Sequence, residues 1–381
     1  MTARIVAIGT AVPDTRLPQT HVRDLFAGQP GLDRLSQRRI RAAFDAADID
    51  GRHTVLAELG EHADGPFRDA AGTLTPPTTG PRNDLYTLLA PPLFAAAAQR
   101  ALTDAALPAS AVTHVITVSC TGFFAPGPDY RLVRDLGLSP AVERYHLGFI
   151  GCAAALPALR AAAHICASDP AAVVLVVCAE LCSLHLRAST DPQQIVAASV
   201  FADGAAAAVV TADATAGAPG GVELDGFATA LTSEGESDMV WTIGDRGFEM
   251  TLSPEVPRII GREIRDAVAG FFGAEPSLDA WAVHPGGRSV LDRVQSGLDL
   301  DPAALDASRR VLREFGNMSS ATVLFILRDL LHDAAAPDGA RIGCLAFGPG
   351  LTVESALGTK RARPAPEPPQ EVAATLALAE A

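Results

Sequence analysis

The chain has 381 residues, 48% hydrophobic and 19% charged, with a net charge of −14 and six cysteines. This is the composition of a globular chain, long enough for two packed cores or one large duplicated α/β unit. It excludes a disordered chain and a broad nucleic-acid surface, but leaves room for local arginine clusters facing small anions. Lys360 is the one lysine, so Arg supplies nearly all the positive charge. That bias, with the abundance of Ala, points to a GC-rich bacterial genome.

The first element, in "MTARIVAIGTAVP" (1–13), is a short apolar run closed by glycine, a buried strand rather than a signal peptide. "DRLSQRRIRAAFDAADIDGR" (33–52) puts Arg34, Arg38 and Arg41 on one helical face, with Arg39 and Arg52 nearby. "HADGPFRDAAGTLTPPTTGPRN" (62–83) reads as a long surface loop. Helical patterns follow over 93–107, 155–167 and 257–272, and buried strands over 113–120, 171–180, 204–213 and 278–287. The alternation predicts a layered α/β fold. The glycine-rich join at 211–221 divides the chain into a first half, 1–212, and a second, 213–360; the Pro-, Ala- and Glu-rich 361–381 reads as a mobile tail. The strongest apolar stretch, 171–182, contains Glu180 and is too short to span a bilayer. The expected setting is the cytoplasm, with the cysteines reduced.

Three stretches carry candidate chemistry: "GFIGCAAA" around Cys152, "AVHPGG" around His284 and "FGNMSSATV" around Asn317. Cys152 falls where a helix would start, so free backbone N–H groups and the macrodipole would stabilise a thiolate there. A nearby imidazole would lower the thiol pKa further. His284 closes a strand before a Pro-Gly-Gly turn, and Asn317 follows Gly316 ahead of a helix. Singly, each has an ordinary role: packing, scaffold hydrogen bond, cap.

Together, in this order, they resemble the type III polyketide synthases, the chalcone synthase-like branch of the thiolase superfamily. The resemblance runs from about residue 4 to residue 358 and includes "RNDLY" (82–86), "SCTGFFAPGPDY" (119–130), "VFADGAAA" (200–207), "HPGG" (284–287), "GNMSSATV" (316–323) and "FGPGLTVES" (347–355). It implies a thiolase-like fold, two αβαβα halves in five layers, and a homodimer. It also implies a catalytic triad of Cys152, His284 and Asn317. Cys152 would take an acyl group from an acyl-CoA starter; His284 and Asn317 would hold the malonyl-CoA thioester oxygen during decarboxylation; a Claisen condensation would follow. No metal or redox cofactor is implied, coenzyme A thioesters being the substrates.

The resemblance further places a gate at Phe201 and Met250. Thr121, Cys182 and His185 would line the cavity, with Cys120 and Ser319 beside them. Ala125, on the adjacent loop, would face the partner subunit's cavity. Small residues at Thr121, Cys182 and Ala125 suggest a channel for an acyl tail, as in bacterial alkylpyrone and alkylresorcinol synthases, whereas His185 is a large polar departure. Arg39 and Arg52 are the expected coenzyme A contacts, and Gly286 and Gly287 would touch the pantetheine arm through backbone. A cysteine at Cys120 also occurs in the malonyl-CoA-only, tetrahydroxynaphthalene-forming relatives, which keeps that reaction as an alternative. A ketoacyl carrier protein synthase and a non-catalytic scaffold on the same fold are further alternatives. A zinc site at Cys178, Cys182 and His185 lacks a fourth ligand, and a papain-like hydrolase lacks its signature around the cysteine.

Overall fold

The computed structural model describes residues 2–60, 65–218, 220–273 and 277–362. Residues 363–381, nearly all of the expected tail, lie outside the described residues. The first part of the chain runs β1 (Arg4–Ala11), β2 (Thr15–Pro18), α1 (Gln19–Ala27), α2 (Arg34–Ala46), β3 (Gly51–Thr54), α3 (Thr79–Asp104) and β4 (His114–Ser119). Then come α4 (Pro128–Leu136), β5 (Glu143–Gly148), α5 (Ala155–Ser168), β6 (Val173–Leu181), α6 (Pro192–Val200) and β7 (Asp203–Thr211). The remainder is β8 (Gly221–Leu231), β9 (Met239–Gly244), β10 (Gly247–Leu252), α7 (Glu255–Phe272), β11 (Ala280–Val283), α8 (Arg288–Gly297), α9 (Asp306–Phe315), α10 (Thr322–His332), β12 (Arg341–Gly348) and β13 (Thr352–Arg361).

Nine strands form one mixed sheet in the order β11-β12-β13-β8-β1-β7-β6-β4-β5. Its two parts join only at the short antiparallel ladder of Arg4 with Glu223 and Ile5 with Val222. Strand β6 is buried at every position, as its β-branched run requires when both faces are covered. Val174, Val176 and Cys178 face α5 and α10, whereas Val173, Leu175 and Val177 face α3. In the second part Ile342, Cys344 and Ala346 face α5 and α10, while Leu345 and Phe347 face α7 and α8. Helices α5 and α10 therefore form a middle layer between two sheet faces, with α3 outside one and α7 and α8 outside the other. This is the five-layer, thiolase-like fold.

Two boundaries differ from expectation. Helix α3 begins at Thr79, inside the segment read as loop, and runs through Pro91 and Pro92. Proline removes a backbone donor and normally ends a helix. Here Ala90, Leu93, Phe94, Ala97 and Ala101 pack into the core along one face and hold the helix across the break. Strand β11 stops at Val283, because the Pro-Gly-Gly turn begins directly after His284. Among the described residues, no helix is long and apolar enough to cross a membrane.

The connection from β7 to β8 is organised by Arg4, whose guanidinium donates to the carbonyls of Ala216, Ala218 and Gly220 at 3.0, 3.1 and 2.7 Å. Arg4→Ala should lower stability by about 2 kcal/mol, the scale of charged hydrogen bonds. Urea denaturation checks it; an unchanged midpoint would remove Arg4 from this role.

Candidate active site

Three loops bring the expected residues together. Strand β5 ends at Gly148, and the chain turns sharply through Phe149 (φ +59°) and Gly151 (φ +77°) into the short turn Gly151–Ala153 and then α5. A side chain at Gly151 would place its Cβ 2.6 Å from Cδ of Pro349, so both the left-handed backbone and the close approach demand glycine. Cys152 thus stands just before the N-terminus of α5, as the sequence suggested. The second loop follows β11: His284 N–H donates to the Leu345 carbonyl at 2.8 Å, which fixes the residue beside β12. The third follows α9. Gly316 (φ +74°) leads into Asn317, whose N–H donates to the Val200 carbonyl at 2.8 Å and whose carbonyl accepts from Ala202 N–H at 2.8 Å.

All three side chains are buried and line one outer chamber. Asn317 Oδ1 accepts from Ser319 N–H at 2.8 Å, which turns its Nδ2 toward the Gly286 carbonyl, only weakly held at 3.4 Å. His284 is 1% exposed, and neither ring nitrogen has a hydrogen-bond partner among the described residues. Burial pushes its pKa down to about 3. Burial likewise pushes the Cys152 thiol up to about 11, although Ser319 and Asn317 hydrogen-bond the sulfur and pull the other way. Burial therefore works against the resting thiolate expected from the sequence. Loss of solvent outweighs those hydrogen bonds and favours a neutral thiol beside a neutral imidazole.

Cys152 also lines an inner chamber of about 40 Å³, against about 620 Å³ for the outer one. Phe201, Met250 and Met239 border both chambers, so the expected gate pair stands at the junction with a third member that the sequence reading missed. Cys120, Thr121, Cys182, His185 and Ser319 all line the inner chamber. Ala125 does not; it is exposed on the loop after β4 and borders neither chamber of this chain.

Where an acyl channel was expected beside Thr121 and Cys182, the chamber has an aromatic wall. Trp241 and Phe248 form the chamber wall there with His185, which stacks on Phe248 at 4.3 Å and 11° and meets the Trp241 edge at 5.5 Å. The missed residues share a readable signal. In "MVWTIGDRGFEM" the apolar side chains alternate about a Gly-Asp-Arg-Gly turn, the period of a hairpin. Strands β9 and β10 pair as that separate ribbon, with Trp241 opposite Met250.

Behind the nucleophile lies fully buried Glu180, another residue the site reading missed. Its carboxyl accepts from Ser320 Oγ at 2.6 Å, Thr121 Oγ1 at 2.9 Å, Cys120 N–H at 3.0 Å and Ser119 Oγ at 3.2 Å. Burial raises its pKa against these donors. Cys120 Sγ lies 3.5 Å from both Glu180 and Ser319, and burial keeps it a thiol. The available signal was an acid inside an otherwise apolar strand.

Arg52 is not at a solvent-facing mouth. It is 2% exposed and donates to the carbonyls of Ala198, Ser199 and Phe201 at 2.7, 2.9 and 2.8 Å, with Gln19 as a further partner. It clamps the C-terminus of α6, where a cation is favourable, and so fixes the gate residue Phe201. Arg39 is exposed on α2, one turn before Ala43, which lines the outer chamber; Arg39 itself does not. The arginines that do line it are Arg258, Arg288 and Arg293, on α7 and α8, together with Gly286 and Gly287.

Comparison with known proteins agrees with this geometry. Residues 1–214 match the N-terminal domain of chalcone and stilbene synthases, and residues 225–359 their C-terminal domain. The chain is 33% identical over 374 residues to a bisdemethoxycurcumin synthase of rice, covering 93% of this chain and 92% of that protein. Among solved structures it resembles the C-terminal type III polyketide synthase domain of Steely1 from Dictyostelium, with a TM-score of 0.88, 28% identity and 95% and 100% of the two chains covered. It also resembles the 1,3,6,8-tetrahydroxynaphthalene synthase of Streptomyces coelicolor, with a TM-score of 0.84, 28% identity and 94% and 99% covered.

A neutral resting pair has a kinetic signature. Alkylation of Cys152 by iodoacetamide should accelerate about tenfold per pH unit from about pH 6 to about pH 9, following the thiolate fraction. A rate that stays flat over that interval would mean that an ion pair forms before substrate arrives.

Proposed function

Because this chain belongs to the family of chalcone and stilbene synthases, we propose that it loads an acyl-CoA starter on Cys152, extends it with malonyl-CoA and closes the chain to a pyrone or resorcinol-type product. It is a polyketide synthase, a transferase that forms carbon–carbon bonds. One observation carries the finer reading. A buried thiol, an imidazole without a hydrogen-bond partner among the described residues and an amide donor share one wall, and the thiol also borders the inner chamber.

In this reading His284 removes the Cys152 proton as sulfur attacks the starter thioester, and passes it to the departing coenzyme A thiolate. The acyl group remains on sulfur. Malonyl-CoA then enters the outer chamber with its thioester oxygen against His284 and Asn317 Nδ2. Loss of carbon dioxide leaves an enolate, whose oxygen these donors stabilise. Its carbon attacks the Cys152 thioester, forming the new carbon–carbon bond and expelling the thiolate. A neutral imidazole retains one N–H for this task. Exclusion of water protects the enolate from protonation.

The outer chamber, about 620 Å³, has the size of an ordinary ligand site, whereas the inner one, about 40 Å³, is tight. Its aromatic wall favours a compact starter over a long acyl tail. The malonyl-only, naphthalene-forming reaction is the second reading, supported by Cys120 in the chamber wall. The proposed assembly is a homodimer in the cytoplasm, the chain dividing near residues 212 and 213. Edge strand β5 leaves Glu143 to His146 exposed, Tyr145 among them, beside exposed Phe123 and Tyr130. A second copy seated there would cover an otherwise bare edge, and Ala125 lies on that same loop.

Product mass spectrometry with malonyl-CoA, alone and with acyl-CoA starters of graded size, tests the reading. Product from compact starters is expected; product from malonyl-CoA alone would establish the second reading. Cys152→Ala should leave no acyl-enzyme, and a variant that still elongates would overturn the assignment. Asn317→Ala should slow decarboxylation by roughly 10²–10³, the usual loss of one oxyanion donor.

At the mouth, Arg258→Ala with Arg288→Ala should raise KM for malonyl-CoA about tenfold, the scale of one charge-assisted hydrogen bond. A phosphate-free N-acetylcysteamine thioester should be unaffected; equal effects on both substrates would take these arginines out of phosphate recognition.

A further inference from the structure

The β9–β10 ribbon carries most of the inner chamber's aromatic wall, yet it is separate from the nine-stranded sheet. A lone two-stranded ribbon is marginal by itself, so what ties it down decides the shape of the chamber. One end is held by Thr79, which bonds the Gly244 carbonyl and accepts from Gly247 N–H at 2.8 Å. Arg187 pairs with Glu249 at 3.0 Å, and Gln194 donates to the Met250 carbonyl at 2.8 Å. Two further ties lead to the loop behind the nucleophile. Trp241 Nε1–H donates to the Cys120 carbonyl at 2.7 Å. The other tie is the ring of His185.

His185 Nε2 lies 2.8 Å from the Thr121 carbonyl, and its Nδ1 lies 2.9 Å from Phe248 N–H. A carbonyl can only accept, so Nε2 carries the proton. A backbone N–H can only donate, so Nδ1 is bare. One neutral tautomer satisfies both partners, and an imidazolium would set two N–H groups against each other. Burial, with a smaller push from Arg82 and against the Thr121 hydrogen bond, takes the ring pKa down to about 4. Both nitrogens are engaged, so this histidine has no free site for acid–base work or for a metal.

We propose that His185 is a positioning residue that latches the β9–β10 ribbon to residue 121, fixing the depth of the inner chamber and thereby the length of polyketide it holds. The ring reaches from the cavity loop to the backbone of β10, two residues before the gate residue Met250. Loss of the latch frees Phe248 and, through the ribbon, Met250 and Met239. The consequence for product length rests on the synthase reading above; the latch does not.

The test compares His185→Leu, which keeps bulk without polar atoms, with His185→Gln, whose amide offers one donor and one acceptor. Hydrogen exchange over residues 239–252 is the direct readout. His185→Leu should exchange roughly 10- to 100-fold faster there, the equivalent of one or two lost hydrogen bonds, while His185→Gln stays closer to wild type. His185→Leu should also release a broader set of products, including longer chains. Unchanged exchange and product length in His185→Leu would reduce the ring to filler and overturn the latch.

If His185→Leu does not fold, ¹⁵N NMR of histidine-labelled wild type decides. The latch requires a ring with protonated Nε2 and bare Nδ1, neutral down to about pH 5; a ring titrating near its ordinary 6.5 overturns it. Wild-type protein that makes no polyketide but keeps the ribbon protected would defeat the synthase reading and leave the latch standing.

Discussion

The site depends on two buried helix N-termini meeting in the middle layer. The turn Gly151–Ala153 precedes α5, and the turn Ser319–Ala321 precedes α10, and both helices are packed between two sheet faces. Each N-terminus brings unsatisfied N–H groups and the positive end of a macrodipole. In water that field is screened within one turn. Between two sheets it is not, so the one place where both converge suits a transient anion, whether thiolate or enolate. Cys152 and Asn317 each stand just ahead of one of these helices.

The same burial sets the electrostatic problem that the chemistry has to solve. Solvent loss pushes the Cys152 thiol up and the His284 imidazole down, so charge is disfavoured until substrate supplies a reason for it. Leaving both imidazole nitrogens unpartnered is costly, on the order of 1–3 kcal/mol for a buried polar group. Glu180 shows the opposite treatment: a buried carboxyl surrounded by the hydroxyls of Ser119, Thr121 and Ser320. The one group is fully paired and shapes the wall. The other is kept open toward the chamber where the thioester carbonyl would lie.

The sequence made the layered fold legible because its central strands are continuous apolar runs and its helices carry clear Ala/Leu patterns. The three reactive residues were legible because each sits beside a glycine or proline that marks a turn. What was missed depends on side-chain direction in three dimensions. Arg52 lies next to an exposed basic helix in sequence, but β3 carries it inward to the α6 C-terminus, which no local pattern records. The acyl channel was inferred from small residues on one wall, without sight of the aromatic ribbon that lines the same chamber. Trp241 and Phe248 are distant from Thr121 in sequence, and only the fold sets them opposite it.

Much of the inner chamber's wall stands on a ribbon outside the main sheet. His284 and Asn317 are anchored by backbone bonds to β12 and to the chain at 200–202, and Phe201 is held by Arg52 through the end of α6. Met239, Trp241, Phe248 and Met250 instead share a ribbon outside the main sheet, attached by a handful of polar contacts. In the proposed reading the reacting groups are thus built into the packed layers. The surface that reads substrate size is hung from them, so its side chains can change without disturbing the two helix N-termini. The rings of His185 and Trp241 both pack on Phe248 of that ribbon, while the core strands keep their own register.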